Sequence, residues 1–267
     1  MGRRSLFFLS FVAATFTTLS CHHPAKVTGV DVQYVELNGK NDGKDTAIEN
    51  VIDPYRDSMK ALMDVVIAYS DTSMSKERDK LETILGNFTS DAVLNRINQY
   101  NCNNNPADTA GYCPYKASMV ILNIGGLRSS LPKGDITRGN IFELMPFDNE
   151  IVVLTLSGKK TWEMLKFIAA SGGEPEAGLK MGIHPDKSPG TVMIGGLALD
   201  TTHSYNIATS DYLANGGDKM DFMKDPLSLR TTGYKIRDAI LDYCTQQTAA
   251  GKHLHPVLDG RLYYESK

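Results

Sequence analysis

After residue 20 the sequence has no apolar run long enough to span a membrane, and it has no cluster of Lys or Arg residues. A transmembrane helix needs about 20 mostly apolar residues, so none is expected in this part of the chain. Without residues 1–20, which include Arg3 and Arg4 and no acidic side chain, the formal net charge moves from -3 to -5. Nucleic-acid binding depends on concentrated positive charge, so the composition favours a small ligand.

Internal repeats and low-complexity tracts are also missing, and there are only four cysteines. Cys102 and Cys113 flank an Asn-rich loop with Pro106 and Gly111, and in an oxidising compartment this spacing suits a disulfide that closes a polar loop. The alternative, half of a metal site, lacks His or acidic partners at ligand spacing. Cys244 lies in a helical pattern and is expected to be a small buried apolar residue.

The first twenty residues have the pattern of a secretory signal peptide. Arg3 and Arg4 give a basic start, and a short apolar run over residues 6–12 is followed by small or hydroxylated residues that lead to Cys21. Cys21 is where a bacterial lipoprotein would be cut and acylated, with residues 18–20 as a loose cleavage pattern; a plainly cleaved signal is the alternative. We therefore predict a periplasmic protein of a Gram-negative bacterium, held at a membrane by a lipid on Cys21.

Residues 21–50 are predicted to be a tether, with a short strand over residues 27–37 and a polar linker over residues 38–50. Asp53 followed by Pro54 is typical of a helix start, because Asp caps free N–H groups and Pro is tolerated at the first helical position. Apolar residues then recur at helical spacing and predict a face packed against the core. These residues are Met59, Leu62, Met63, Val66 and Ile67.

Helices and strands alternate irregularly along the rest of the chain. The apolar patterns predict helices over residues 86–100 and 234–245 and after Gly158. They predict strands over residues 119–122, 151–156, 192–199, 205–209 and 262–264. This order indicates one α+β domain over residues 51–267, with a mixed sheet packed against helices.

Three polar clusters adjoin predicted strands. Asn123-Ile124-Gly125-Gly126-Leu127-Arg128 combines paired glycines, which let backbone approach a ligand, with a planar cation suited to phosphate or ribose oxygens. Pro146 and Phe147 place an aromatic ring at a loop tip, and residues 212–218 place Tyr212 shortly before Asp218. Each cluster also has an ordinary explanation when taken alone. The first fits a simple Gly-Gly turn, the second an aromatic ring in the core, and the third a turn whose Asp caps the next segment.

Taken together and in order, these segments resemble the C-terminal, substrate-binding domain of 5'-nucleotidases and UDP-sugar hydrolases. That family carries an Asn-x-Gly-Gly-x-Arg turn, then a Gly-Asp-Ile-Thr segment, a Pro-Phe loop and a Leu-Ala-Asn-Gly-Gly-Asp turn. The matching segments here are residues 123–128, 134–137, 146–147 and 213–218, and Glu82 with residues 85–87 is similar to the family's helix start. The resemblance covers roughly residues 50–265.

The resemblance implies a role for each matching residue. Phe147 and Tyr212 would stack on the base, and because the ring does the stacking, Tyr212→Phe is expected to change little. The other implied contacts are Asn123 with the base edge, Arg128 with ribose and phosphate oxygens, Asp218 with the ribose hydroxyls, Gly195 and Gly196 with the base through their backbone, and Lys80 in place of a second Arg.

Family members also carry an N-terminal metallophosphatase domain with Asp-x-His and Gly-Asn-His motifs, and neither motif occurs in residues 1–267. We therefore expect no catalytic residue, metal ligand or cofactor in this chain, including at His253 and His255. The resemblance implies the nucleotide-recognising half of a periplasmic 5'-nucleotidase, serving nucleotide catabolism or phosphate scavenging, with divalent metals in a separately encoded metallophosphatase subunit. The alternatives are a nucleotide- or nucleoside-binding lipoprotein without a catalytic partner, and a structural or interaction module with a relic pocket.

Overall fold

The computed structural model describes residues 32, 45–99 and 116–266. The chain separates into two compact units, residues 1–50 and 51–267. In the first unit, Val32 is in no helix or strand, and residues 46–50 open the first helix. The predicted signal peptide, the acylated Cys21, the rest of the strand over residues 27–37 and the disulfide between Cys102 and Cys113 lie outside the described residues.

The helices and strands follow in mixed order. The helices are α1 Thr46–Met63, α2 Ile84–Asn98, α3 Arg138–Leu144, α4 Gly158–Ser171, α5 Asp211–Ala214 and α6 Ile236–Ala249. The strands are β1 Val66–Ser70, β2 Met119–Ile121, β3 Gly134–Thr137, β4 Glu150–Ser157, β5 Glu176–Ala177, β6 Leu179–Ile183, β7 Pro189–Ile194, β8 Leu197–Ala198, β9 Ser204–Ser210, β10 Ser228–Lys235 and β11 Leu262–Tyr264.

The strands form mixed sheets. A five-stranded sheet has the order β10-β4-β9-β2-β5, in which β2 and β9 are parallel and the other neighbours antiparallel. A four-stranded sheet has the order β11-β6-β7-β8, with β11 parallel to β6, and β1 pairs with β3 in a separate ribbon. The predicted α+β fold with a mixed sheet and packed helices is confirmed.

The five-stranded sheet is buried on both faces. Successive side chains of a strand point to opposite faces, and β4 shows this clearly. Ile151 and Val153 lie in one core with side chains of α2 and α6. Val152 and Leu154 lie in a second core with side chains of α4. Truncating Leu154 to Ala is expected to cost about 2–5 kcal/mol, since the side chain is fully buried.

Helix α1 differs from its prediction. It begins at Thr46, because Asp45 Oδ1 accepts from Ala47 N at 2.9 Å and caps the first turn. Pro54 therefore lies inside the helix, so the predicted helix start at Asp53 is wrong, and residues 46–50 of the predicted linker are helical. The predicted buried stripe is also wrong, since α1 has no buried residue and Val66 belongs to β1. No described helix is long and apolar enough to cross a membrane.

Two further differences follow from turn chemistry and tertiary pairing. The single strand predicted over residues 192–199 is two strands, because Gly195 and Gly196 adopt positive φ of 58° and 81° and reverse the chain between β7 and β8. Strands β1, β3, β5, β6 and β10 were not predicted. Strands β3 and β10, for example, are stabilised by pairing with distant partners, β1 and β4 respectively.

Candidate functional site

The sheet order brings the three polar clusters to one edge. Because β2 and β9 are parallel neighbours, their carboxyl ends meet at the same edge. Strand β4 runs antiparallel to β9, so the start of β4 lies there too, with Ile151 opposite Ser210. Asn123 follows β2, Tyr212 follows β9, and Phe147 lies just before β4. Residues separated by more than eighty positions therefore converge.

These clusters line one cavity of about 340 Å³. This volume falls within the range of roughly 300–1,000 Å³ that is usual for small-molecule sites. The lining residues are Asn123, Gly125, Gly126, Arg128, Phe147, Asn149, Tyr212 and Asp218. The rings of Phe147 and Tyr212 are both partly exposed, as expected of surfaces available for stacking.

Asp218 is the centre of a hydrogen-bond network in this cavity. Asn123 Nδ2 donates to Asp218 Oδ2 at 2.5 Å, and the hydroxyl of Tyr212 donates to Oδ1 at 2.8 Å. The bond to Asp218 raises the pKa of Tyr212 above its ordinary value. An ionised carboxylate has about four acceptor positions, so Asp218 keeps capacity for two further donors such as a vicinal diol.

The turn that carries Asp218 has an unusual backbone. Asp218 and Lys219 have positive φ of 51° and 67°, a left-handed conformation that costs non-glycine residues free energy. Gly217 is required sterically, since a Cβ there would lie 2.4 Å from Cε1 of Tyr212. Close packing on the Tyr212 ring and the hydrogen bonds of Asp218 thus hold this turn in place.

The turn after β2 is equally compact. Residues Ile124–Gly126 form a short 3₁₀ turn. A Cβ on Gly126 would lie 2.9 Å from Asn123 Oδ1, so glycine lets the Asn123 side chain fold back over the turn toward Asp218. Glu174 Oε2 accepts from the backbone N of Ile124 at 2.9 Å and ties the turn to the start of β5.

Arg237 on α6 holds the loop that presents Phe147. Its nearly buried guanidinium donates to Asp148 Oδ1 at 2.5 Å and to the carbonyl oxygens of Met145 and Pro146 at 3.3 Å. Hydrogen bonds from Lys235 and then Arg237 lower the pKa of Asp148. No local signal indicated this role, because Arg237 lies about ninety residues from the loop in an ordinary amphipathic helix.

Positive charge gathers around Arg128. Its guanidinium lies 5.8 Å from the centre of the Phe147 ring. Residues 74–76 run alongside its loop, since Met74 and Leu131 exchange backbone hydrogen bonds and Lys76 N donates to Ser130 Oγ at 2.9 Å. The pKa of Lys76 is lowered by partial burial and by the nearby charges of Arg78 and Arg128. Sequence reasoning missed Lys76 and Arg78 as members of this group.

The structure does not bring three predicted residues to the cavity. Lys80 lines a separate, smaller cavity with Glu82, Glu174 and Glu176. It lies in an irregular segment, and Arg78 lines the same smaller cavity. Gly195 and Gly196 form the turn between β7 and β8, next to Ser118. Their roles as ligand contacts stay predictions without support from their position.

The remaining candidate groups lie away from the cavity. Cys244 is buried as predicted, and burial raises the pKa of its thiol to about 12. His253 and His255 both contact Asp71, with Nδ1 at 2.9 and 3.5 Å from its carboxylate oxygens. Across the described ranges 45–99 and 116–266, His, Cys, Asp and Glu side chains form no group of three or more that could hold a metal ion.

Comparison with known proteins gives consistent matches. Residues 65–225 match the family model described as 5'-nucleotidase, C-terminal domain. The chain is 25% identical over 229 residues to the trifunctional nucleotide phosphoesterase protein YfkN of Bacillus subtilis, covering 79% of this chain and 14% of that protein. It is 26% identical over 208 residues to a 5'-nucleotidase of Vibrio parahaemolyticus, covering 75% of this chain and 34% of that protein.

A solved structure has the same fold. The 5'-nucleotidase precursor from Thermus thermophilus matches with a TM-score of 0.64 and 24% identity, covering 81% of this chain and 42% of that chain. The chain thus spans well under half the length of each of these relatives.

Proposed function

The chain belongs to the family of 5'-nucleotidase C-terminal domains, and on this basis we propose that it recognises a nucleotide as the substrate-binding half of a 5'-nucleotidase. Two of its similar relatives are named as a nucleotide phosphoesterase and a 5'-nucleotidase. Because they are much longer than this chain, their names support the ligand class and leave the reaction itself to be tested.

One observation carries the proposal. Three separate segments, which contribute Asn123 and Arg128, Phe147, and Tyr212 and Asp218, line one cavity of about 340 Å³. Aromatic rings stack on any base, because every base has a π-face. A carboxylate accepts hydrogen bonds from both hydroxyls of a ribose. Local packing does not require these five side chains to meet, so their convergence supports nucleoside recognition.

Arg128 lines the cavity, and two cations near it in the fold, Lys76 and Arg78, favour a phosphorylated ligand. Arg78 itself lines the smaller cavity, together with Lys80. Partial burial, and then the positive charges of Arg78 and Arg128, lower the pKa of Lys76, so an anion bound beside Lys76 would relieve the repulsion that it feels from both. Arg offers a planar fork that matches phosphate oxygens, and Lys adds a point charge. We infer that Arg128 holds the ribose or phosphate and that Lys76 and Arg78 strengthen phosphate binding.

Hydrolysis would require a partner. Residues 1–267 contain no Asp-x-His or Gly-Asn-His motif, and a dimetal centre that activates water needs such ligands. We propose that a separately encoded metallophosphatase subunit supplies divalent metals and acts on the nucleotide presented here. A second candidate, favoured by the same missing motifs, is a nucleotide- or nucleoside-binding lipoprotein with no catalytic partner.

The start of the sequence supports a site of action outside the cytoplasm. A basic, then apolar, then small-residue pattern leads to Cys21. We propose a periplasmic protein tethered to a membrane by a lipid on that cysteine. Labelling of growing cells with a radioactive fatty acid would give a labelled wild-type protein and an unlabelled Cys21→Ser variant; equal labelling of both would contradict the anchor.

A binding titration tests the nucleotide proposal. The purified protein is titrated with adenosine, AMP and a UDP-sugar by isothermal calorimetry. We expect binding that Phe147→Ala weakens by about tenfold or more, because a stacking face is lost. Tyr264→Ala removes a ring that is 79% exposed and outside the cavity, and serves as the matched control.

The same titration tests the phosphate contact. Lys76→Ala and Arg78→Ala should weaken AMP binding more than adenosine binding, whereas Lys180→Ala, an exposed cation on β6, should affect neither. Failure of every nucleoside and nucleotide to bind the wild-type protein would end the nucleotide proposal.

A further inference from the structure

A carboxylate outside the main cavity holds the turn that positions Asn123. Ile124 begins the 3₁₀ turn, and the first N–H groups of a helical turn have no partner within it. The side chain of Asn123 accepts no hydrogen bond that caps this turn, and its amide nitrogen donates to Asp218. Glu174, fifty residues further on, supplies the acceptor for Ile124 N.

The backbone fixes Glu174 opposite this turn. Strand β5 pairs with β2, and the ladder continues as Leu122 N donates to the carbonyl oxygen of Pro175 at 2.8 Å. On its other side, Gly173 has a positive φ of 103°, and a Cβ there would lie 2.0 Å from the carbonyl oxygen of Leu81. Glu174 is therefore held between a paired strand and a sterically fixed glycine.

The carboxylate of Glu174 lies in a confined and charged setting. It is half-buried and lines a cavity of about 20 Å³ together with Ile124. The charged groups that share this lining are Glu77, Arg78, Lys80, Glu82 and Glu176, and Asp218 acts on it from the ligand cavity. Burial first, and then the charge of Asp218, raise the pKa of Glu174, while the Ile124 N–H opposes the rise.

We propose that Glu174 is a positioning residue whose negative charge holds residues 123–126 in the geometry that binds the nucleoside, so that affinity falls when this carboxylate is protonated. This inference rests on the proposed nucleotide-binding function. A hydrogen bond to an ionised acceptor is roughly twice as strong as one to a neutral acceptor, so protonation weakens the hold on Ile124. The affinity for the nucleoside should therefore be full above the pKa of Glu174 and should fall as pH drops through it. Because this pKa is raised, the loss should occur at a higher pH than it would for an ordinary glutamate.

Adenosine is the suitable probe, because it carries no phosphate that titrates in the same range. Its affinity is measured by calorimetry between about pH 5 and about pH 8 for the wild type, Glu174→Gln and Glu163→Gln. Gln mimics the protonated acid, so Glu174→Gln should bind about two- to tenfold more weakly at the upper end. As pH falls, the affinity of the wild type should approach that of Glu174→Gln. Glu163 on α4 is the control, and its variant should follow the wild type.

A second measurement needs no ligand. The amide chemical shift of Ile124, followed by NMR, should titrate in the wild type and stay flat in Glu174→Gln. Its midpoint should move to lower pH in Asp218→Asn, because the Asp218 charge contributes to the raised pKa.

The inference would be overturned if the wild type and Glu174→Gln bound adenosine with equal affinity at every pH. It would also be overturned if the amide chemical shift of Ile124 in the wild type did not change with pH. If adenosine bound the wild type at no pH, the proposed function would fail instead. The Ile124 titration would then decide alone whether the Glu174 charge holds the turn.

Discussion

Removing the hydroxyl group of Tyr212 is expected to weaken nucleoside binding even though the aromatic ring stays. The hydroxyl donates to Asp218 Oδ1 at 2.8 Å and accepts from the backbone N of Asp218 at 3.3 Å. It therefore fixes both the carboxylate and the backbone of a residue with a left-handed φ of 51°. Sequence reasoning expected Tyr212→Phe to change little, and these two hydrogen bonds argue against that expectation.

The size of the effect follows from what each substitution removes. Tyr212→Phe keeps the stacking face and loses two solvent-exposed hydrogen bonds, the charge-assisted one to Asp218 Oδ1 and the longer one from Asp218 N, so affinity should fall by about two- to tenfold. Tyr212→Ala also loses the ring, and the fall should reach about tenfold to a hundredfold. In an Asp218→Ala background, Tyr212→Phe should cost less than in the wild type, because the bond to the carboxylate is already gone and only the longer bond from the backbone N remains to be lost.

Calorimetric titration with adenosine measures all four variants, and thermal melting checks that each is folded. If Tyr212→Phe bound adenosine as tightly as the wild type while Asp218→Ala lost binding, the hydroxyl would have no positioning role. If Tyr212→Ala bound as tightly as the Tyr264→Ala control, the ring would not stack on the base.

Three further outcomes are expected. The purified protein should release phosphate from nucleotides only at background rate with added Mg²⁺, Mn²⁺ or Zn²⁺; robust metal-dependent release that disappears in a His253→Ala/His255→Ala variant would contradict this. Exported protein should show a disulfide between Cys102 and Cys113, and free thiols at both positions in an alkylation mass measurement would count against it. Burial raises the pKa of Glu176 well above its ordinary value. The contribution of Glu176 to the free energy of unfolding is therefore full below the pKa of the unfolded state and is lost as pH rises through the pKa of the folded state. Urea unfolding between about pH 5 and about pH 9 should therefore show that the free energy of unfolding of Glu176→Gln rises relative to that of the wild type as pH rises. A difference between the two proteins that does not change with pH would refute this.

Ordered short motifs made the family and most of the site predictable. Asn123, Arg128, Phe147, Tyr212 and Asp218 were all named from their motifs, and all line one cavity. Such residues can be identified from the sequence because each lies in a turn that needs glycine, proline or a particular polar group at fixed spacing. Strands with strong apolar patterns were equally readable; the strand predicted over residues 262–264 has those bounds in the structure.

Helix α1 shows where a local pattern misleads. Asp53 and Pro54 form a good start signal, and a regular apolar stripe follows. Yet Asp45 caps the helix. In the stripe, Met59, Leu62 and Val66 are exposed, while Ile67, beyond the helix, packs partly against the core. A periodic pattern says which residues share a face, while burial of that face depends on what the rest of the chain places against it.

The supporting residues were decided by tertiary structure alone. Arg237 holds the Phe147 loop from about ninety positions further along the chain. Glu174 holds the Asn123 turn from fifty positions away. Lys76 is brought near Arg128 because their two loops pair through hydrogen bonds. The sequence by itself determined the turn motifs that line the cavity, because these turns have strict local requirements. Their convergence was determined by the parallel pairing of β2 with β9 and the antiparallel pairing of β4, since hydrogen bonding between distant strands leaves no local trace in residue order.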